Sequence, residues 1–234
     1  ITSENEAASM IGYVTMGMSI IPLFAPGLGG LIQMLLGWPS IFLIMSLLGL
    51  LLLLLVFRDL GETKIIKKNK NTKSSASFIN LFWESKFWGY SFTLAFSAGT
   101  FFSFLGGAPY VATKVYNLNS VVSGLVMGFP AAGYFIGNYL SGRYSKFYGI
   151  DYMALRGILL VIFGMFICLV ITVFYRDTPY FFFGLCSFVG LGNGLIIPNA
   201  SVGILSVNEN LSGTAGGIGN AIMIGTGAIL ASVT

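Results

Sequence analysis

The side chains of this chain that could do chemistry inside its long apolar stretches are polar but uncharged. The largest of them are four asparagines, Asn138, Asn193, Asn199 and Asn220. An amide in hydrocarbon requires a hydrogen-bonding partner, so we expect these side chains to face other helices or a water-filled cavity. Packing between helices is enough to explain any one of them, and that alternative stays open for each.

Acid–base and nucleophilic catalysis have little support in this sequence. The chain has no histidine, which removes the commonest proton shuttle and metal ligand. All eight acidic residues lie outside the apolar runs or at their ends. Cys168 and Cys186 lack metal-ligand spacing, and we interpret them as buried packing residues. An enzyme needs a positioned acid, base, nucleophile or metal, so we expect a protein that is not an enzyme and uses no metal or cofactor.

The composition indicates a membrane protein with several helices. Of its 234 residues, 56% are hydrophobic and 9% are charged, whereas soluble domains carry about 25% charged residues. The runs without a charge are 7–57, 87–113, 115–142, 157–175, 178–208 and 210–234. About 20 apolar residues span the hydrocarbon core, so the first run crosses twice and each other run once. We predict an all-α polytopic membrane protein with about seven transmembrane helices.

Prolines, glycines and polar segments divide these runs into helices. We predict helices over 9–35, 41–57, 88–108, 121–141, 154–175 and 180–200, followed by a seventh after Gly213. Pro109 is expected to end the third helix, and 142–151 is expected to form a loop. The first helix contains Pro22 and Pro26, which predicts a bent helix that packs closely on a partner.

The basic residues orient the chain. Ten of them fall on one side of the membrane when the loops are counted alternately, and only Lys114 and Arg176 fall on the other. The ten are Arg58, Lys64, Lys67, Lys68, Lys70, Lys73, Lys86, Arg143, Lys146 and Arg156. The positive-inside rule makes their side cytoplasmic. We interpret 58–86 as a cytoplasmic basic linker with an interfacial aromatic segment, either solvated or bound to anionic lipid. This charge does not indicate a nucleic-acid partner.

Glycine and proline recur in the first helix at Gly12, Ala25-Pro26 and Gly29-Gly30. This spacing resembles the antiporter motif on the fifth of the twelve helices of the major facilitator superfamily. Two glycines of that motif are replaced here, by Ile21 and Ala25. The segment A-P-G-L-G-G-L-I, followed by G-W-P-S-I-F-L-I, is most similar to the bicyclomycin-resistance group of drug-efflux transporters. The resemblance implies an interface between two halves of the protein. The residues assigned to it are Gly12, Gly17, Pro22, Ala25, Pro26, Gly29 and Gly30.

Later segments resemble the same group. G-N-Y-L-S-G-R-Y-S-K-F-Y-G is similar to its cytoplasmic loop motif between the eighth and ninth helices. Gly137, Gly142 and Arg143 match that motif, which implies a cytoplasmic gate, and Ser141 stands where the wider superfamily often has an acid. G-L-G-N-G-L-I-I-P-N-A and L-S-G-T-A-G-G-I-G-N resemble the tenth and eleventh helices.

The resemblance covers the whole chain and implies a partial major-facilitator helical bundle. On this interpretation the chain is part of a longer protein. Residues 1–57 end its N-terminal six-helix half, and 87–234 form an incomplete C-terminal half. The implied function is proton-driven export of drug-like molecules across the inner membrane by alternating access. The implied partners are a small-molecule substrate, protons and the lipid bilayer, and the proton-coupling carboxylate is implied in the first four helices.

We expect a monomer whose substrate cavity draws on Phe101, Phe104, Asn138, Asn193, Asn199 and Asn220. Two alternatives to a drug exporter stay open. The first is an importer or metabolite exporter of the same superfamily. The second, from a different class, is a membrane scaffold or receptor that transports nothing.

Overall fold

The structure is a computed structural model that describes residues 3–59, 80–174, 178–208 and 211–234. Within these ranges seven helices are long and apolar enough to cross a membrane. They are α1 (Glu4–Leu36), α2 (Pro39–Asp59), α3 (Ser85–Tyr110), α4 (Ser120–Tyr148), α5 (Ile150–Phe174), α6 (Pro179–Ser206) and α7 (Ser212–Val233). The prediction of an all-α polytopic membrane protein with seven transmembrane helices is confirmed.

Helix α1 begins at Glu4, earlier than the sequence predicts, because Ser3 caps it. The Ser3 hydroxyl accepts a hydrogen bond from the Glu6 backbone N–H at 3.3 Å, and the Ser3 N–H donates to Glu6 Oε2 at 3.2 Å. This reciprocal capping box satisfies two N–H groups that the first turn leaves unpaired. The helix then continues through Pro22 and Pro26 without interruption.

The expectation that Pro109 ends the third helix is wrong. Helix α3 includes Pro109 and runs into a π-helical turn at Val111–Val115. The Tyr116 N–H donates to the Val111 carbonyl at 3.0 Å, a bond five residues back. Proline removes only its own N–H and crowds the preceding turn. The backbone after Pro109 can therefore continue as a helix.

The expectation of a loop over 142–151 is also wrong. Helix α4 continues to Tyr148, and Gly149 is the only residue between it and α5. The φ angle of Gly149 is +85°, a conformation that residues with a Cβ rarely adopt. The Gly149 N–H donates to the Ser145 carbonyl at 2.9 Å, which closes the last turn of α4. Arg143 therefore lies on a helix.

Helix α6 lies at the centre of the bundle and packs against α1, α3, α4, α5 and α7. Helix α2 lies at its edge. It packs on α1, and none of its residues is buried within the described chain. A hydrophobic cluster joins the start of α3 to the C-terminal part of α6, and Phe87, Leu94 and Ile204 are fully buried in it.

The basic linker lies mostly outside the described residues, which omit 60–79. Its aromatic end is described from Asn80. Leu81 is buried in the hydrophobic cluster, whereas Trp83 is 83% exposed. The Trp88 indole N–H donates to the Phe82 carbonyl at 2.8 Å. This segment therefore packs one side chain inward and presents another outward, as an interfacial segment would.

Candidate functional site

Helices α1 and α4 pack so closely that side chains are excluded near both ends of their contact. A Cβ atom on Gly12 would lie 2.6 Å from the backbone nitrogen of Gly142, and one on Gly30 would lie 2.6 Å from the Ser120 carbonyl oxygen. Distances below 3.0 Å are not found for real Cβ atoms. Small residues allow helices in a membrane to approach in this way. The contact runs almost the whole length of both helices.

The other residues assigned to this interface differ in what they contact. The carbonyl of Pro26 lies against Gly124 of α4, and that of Leu23 lies 2.9 Å from the position of a Cβ on Gly128. Pro22 faces a cavity instead. Ala25 is exposed, and a Cβ on Gly17 or Gly29 would meet no described atom within 4 Å. For the two glycines, the described chain supplies no packing partner at this position.

Hydrogen bonds reinforce the contact between α1 and α4. Thr15 Oγ1 lies 2.7 Å from Asn138 Oδ1 and donates to it, and Asn138 Nδ2 donates to the Tyr134 carbonyl at 2.9 Å. Ser9 Oγ donates to the Gly142 carbonyl. Asn138 is fully buried, and its amide binds α1 through Thr15 and the backbone of its own helix through Tyr134.

Asn199 has a similar role between α4 and α6. Its Nδ2 donates to Ser141 Oγ at 2.9 Å and to the Leu195 carbonyl at 2.7 Å. Ser141 in turn lies 3.1 Å from the Ser145 hydroxyl. Ser141 replaces the acid of the loop motif, and here it is a buried hydrogen-bonding partner of α6. For Asn138 and Asn199, the structure favours the helix-packing alternative that the sequence left open.

The three residues assigned to a cytoplasmic gate face different neighbours. Gly137 packs on α6, where a Cβ would lie 3.0 Å from Gly194 Cα, and a Cβ on Gly142 would lie 2.9 Å from the Tyr13 ring. Arg143 is exposed, and its guanidinium donates to the Tyr139 hydroxyl at 2.9 Å. No carboxylate of the described ranges pairs with Arg143.

A central cavity of about 240 Å³ lies between α1, α3, α4, α6 and α7. It is lined by Pro22, Ala98, Phe101, Phe102, Ala131, Tyr134, Asn193, Ile197 and Met223. These side chains are aromatic or aliphatic, with one amide and one phenol, and none is charged. Ligand sites commonly combine apolar walls with a few polar groups in this way.

Two of the six residues that the sequence assigned to a substrate cavity line this one, Phe101 and Asn193. Phe104 instead packs on Phe183, with ring centroids 6.1 Å apart. It lines a separate cleft toward the C-terminal end of α3. Asn220 is exposed within the described chain.

Several lining residues were not selected from the sequence, although a weak signal was present. Ala98, Phe101 and Phe102 follow an i, i+3, i+4 spacing, which places them on one face of α3. Asn193 and Ile197 are likewise four residues apart on α6. Such spacing shows which residues share a face, but it does not show whether that face meets a cavity or a packed helix.

A second polar feature lies in the cleft between the start of α3 and the start of α5. The Tyr90 hydroxyl donates to Asp151 Oδ1 at 2.7 Å. Lys86 lines the same cleft, which encloses about 380 Å³. Asp151 falls in the segment 142–151 that was expected to form a loop, and no local sequence pattern shows that Tyr90 lies opposite it.

The chain is similar in sequence to known membrane transporters. The chain is 28% identical to the bicyclomycin resistance protein homolog of Haemophilus influenzae, over 99% of this chain and 58% of that protein. It is 25% identical to multidrug resistance protein D of Escherichia coli, over 94% of this chain and 55% of that protein. It is also 27% identical to the uncharacterized MFS-type transporter YdgK of Bacillus subtilis, over 54% of this chain and 33% of that protein. No solved structure shows significant similarity to the chain.

The chain spans little more than half the length of the curated relatives that it matches along its whole length. Its residues 1–232 match the family described as the Major Facilitator Superfamily. Membership of a family of membrane transporters agrees with the prediction that the chain is not an enzyme. The seven helices and this match together show that the chain is a multi-pass membrane protein of the major facilitator superfamily.

Proposed function

We propose that the whole protein exports drug-like small molecules across the inner membrane in exchange for protons. The observation that supports this most directly is the central cavity of about 240 Å³, with aromatic walls and only two polar side chains. A cavity of this kind suits amphipathic, aromatic molecules. The names of two relatives, which refer to bicyclomycin resistance and multidrug resistance, agree with that substrate class.

The mechanism that we propose is alternating access, in which two helical halves rock about the central cavity. Helices α1 and α2 belong to one half in this proposal, α3 to α7 to the other, and 58–86 links them. The close contact of α1 with α4 is then the surface on which the halves move. Gly12 and Gly30 permit this contact, and Arg143 lies beside it at the cytoplasmic end of α4. The protein acts as a monomer in this proposal.

The test is export by the whole protein in a bacterial strain whose own drug exporters have been deleted. Expression should reduce the accumulation of bicyclomycin, and a protonophore should abolish that reduction. The matched control is the same strain with an empty vector. Increased accumulation would indicate an importer, and unchanged accumulation would favour a scaffold or receptor. Export that persists after the proton gradient is collapsed would contradict proton exchange.

A further inference from the structure

The feature that carries a further inference is the amide of Asn193, at the middle of α6. Asn193 is 2% exposed, and it lies in the wall between two cavities. One is the central cavity, and the other is a cleft of about 360 Å³ between α3 and α5. Both cavities have mostly aromatic and aliphatic walls. Among the described residues, Asn193 supplies the only side-chain amide in the lining of either cavity.

The hydrogen bonding of Asn193 differs from that of the two other buried asparagines. Asn138 and Asn199 each donate from Nδ2 to the carbonyl four residues earlier on their own helix, at 2.9 Å and 2.7 Å. Asn193 makes no such bond. Its Oδ1 accepts from the Ser97 hydroxyl on α3 at 2.6 Å, and no group in the described part of the chain accepts from its Nδ2.

Ser97 fixes the direction of this unused donor. Ser97 is 7% exposed, and its hydroxyl occupies the carbonyl end of the Asn193 side chain. Because the amide group is planar, the two N–H bonds then point away from Ser97. A ligand that brings an oxygen acceptor to Nδ2 would complete the hydrogen bonding of this amide, in a site where such bonds contribute to affinity.

We propose that Asn193 is a hydrogen-bond donor of the central cavity, beside the Tyr134 phenol, that Ser97 holds it as a positioning residue, and that it selects uncharged aromatic ligands bearing a carbonyl-type oxygen. This inference rests on the proposed export function only for its biological role. The charge preference follows from the lining, which includes no acidic or basic residue within the described ranges. Bringing a bare charge into such a site is costly, whereas a neutral ketone or amide needs only the one donor.

The test uses the purified whole protein in detergent and two fluorescent probes of similar size. Prodan is a neutral naphthyl ketone whose emission shifts to longer wavelength when its carbonyl accepts a hydrogen bond. N-phenyl-1-naphthylamine is a neutral aromatic molecule without a carbonyl. The Asn193→Leu substitution replaces the amide by an apolar side chain of similar volume. We expect it to weaken prodan binding about five- to tenfold, the value of one hydrogen bond between uncharged groups.

The same substitution should shift the emission of bound prodan to shorter wavelength and leave the affinity for N-phenyl-1-naphthylamine unchanged. Equal losses for both probes would show that Asn193 shapes the cavity without donating, which overturns the proposal. Unchanged binding and emission of prodan in Asn193→Leu would overturn it as well, as would a wild-type protein that does not bind prodan.

A second pair of variants tests the role of Ser97. Ser97→Ala should move the prodan emission toward that of Asn193→Leu, because the amide is no longer held, and Ser97→Thr should restore the wild-type emission. Ser97→Ala with wild-type emission would exclude a positioning role. These measurements are independent of export. Selective binding without export in cells would reject the proposed export function but support Asn193 as a donor. Export without probe selectivity would support the export function but reject Asn193 as a donor.

Discussion

Gly12 of α1 and Gly142 of α4 meet backbone to backbone. A Cβ atom on Gly12 would lie 2.6 Å from the nitrogen and 2.9 Å from the Cα of Gly142. Neither of these atoms can be moved by a change of rotamer, so the helices themselves would have to separate. Next to this point, the Ser9 hydroxyl donates a hydrogen bond to the Gly142 carbonyl and reinforces the contact.

The Gly12→Ala substitution should therefore destabilise the whole protein by about 1–3 kcal/mol, the usual cost of overpacking a close contact. Gly17→Ala is the matched control, because a Cβ at Gly17 would meet no described atom within 4 Å. It should leave stability unchanged or slightly improved, since alanine favours helix more than glycine does. The measurement is thermal unfolding of both purified variants. Equal melting temperatures would contradict the proposed contact.

A second matched pair lies at the other end of the same helix contact. A Cβ on Gly30 would lie 2.6 Å from the Ser120 carbonyl oxygen, and a Cβ on Gly29 would meet no described atom within 4 Å. Gly30→Ala should therefore reduce export and stability, whereas Gly29→Ala should be tolerated. Export assays and melting curves on the two variants check this. A stronger defect in Gly29→Ala than in Gly30→Ala would contradict the assignment of Gly30 to the contact with α4.

The sequence could not distinguish these two glycines. Gly29 and Gly30 both belong to the segment that resembles the antiporter motif. Adjacent residues on a helix with 3.6 residues per turn, however, point about 100° apart. Which of them meets α4 depends on where α4 lies, and no local pattern contains that information. The apolar runs were sufficient to predict seven helices, because membrane length and hydropathy are local properties.

Polar residues show the same limit. Arg143 and Lys146 fall in the segment 142–151 that was expected to form a loop, yet they lie in the last two turns of α4. Among the asparagines, Asn193 lines the cavity and Asn199 does not, although both lie on α6. The difference arises from partners on other helices, Ser97 and Ser141, which only the tertiary structure brings into contact.

The hydrogen bond of 2.7 Å between Thr15 and Asn138 should contribute to the pairing of α1 with α4. Such bonds between membrane helices contribute about 0.6 kcal/mol on average and at most about 1.7 kcal/mol. Thr15→Val, Asn138→Leu and the double variant form a double-mutant cycle. We expect a coupling energy in that range, measured from unfolding of the whole protein in detergent. Additive effects would show that the two side chains do not interact.

Phe101 and Phe104 should differ in their effects on export, although both are aromatic residues of α3. Phe101 lines the central cavity, whereas Phe104 packs on Phe183 with ring centroids 6.1 Å apart. Phe101→Ala should change the relative export of different drugs. Phe104→Ala should lower the melting temperature and reduce the export of all drugs in proportion to the amount of folded protein. Identical drug profiles for the two variants would argue against the central cavity as the substrate site.

The Tyr90–Asp151 pair should stabilise the packing of α3 beside α5. The Tyr90 hydroxyl lies 2.7 Å from Asp151 Oδ1, and the Tyr90 ring is held in place by Gly203, where a Cβ would lie 2.5 Å from the ring. This hydrogen bond is exposed to solvent, which screens the carboxylate charge, so we expect a contribution of about 0.5–1.5 kcal/mol, that of an ordinary hydrogen bond. Tyr90→Phe removes only the hydroxyl, so it should lower the free energy of unfolding by an amount in this range.

Tyr152→Phe is the control, because its hydroxyl makes no hydrogen bond to a described residue. Thermal unfolding of the two variants, each with and without Asp151→Asn, tests the pair. The effect of Tyr90→Phe should shrink in the Asp151→Asn background, and an undiminished effect would show that the hydroxyl acts through another partner.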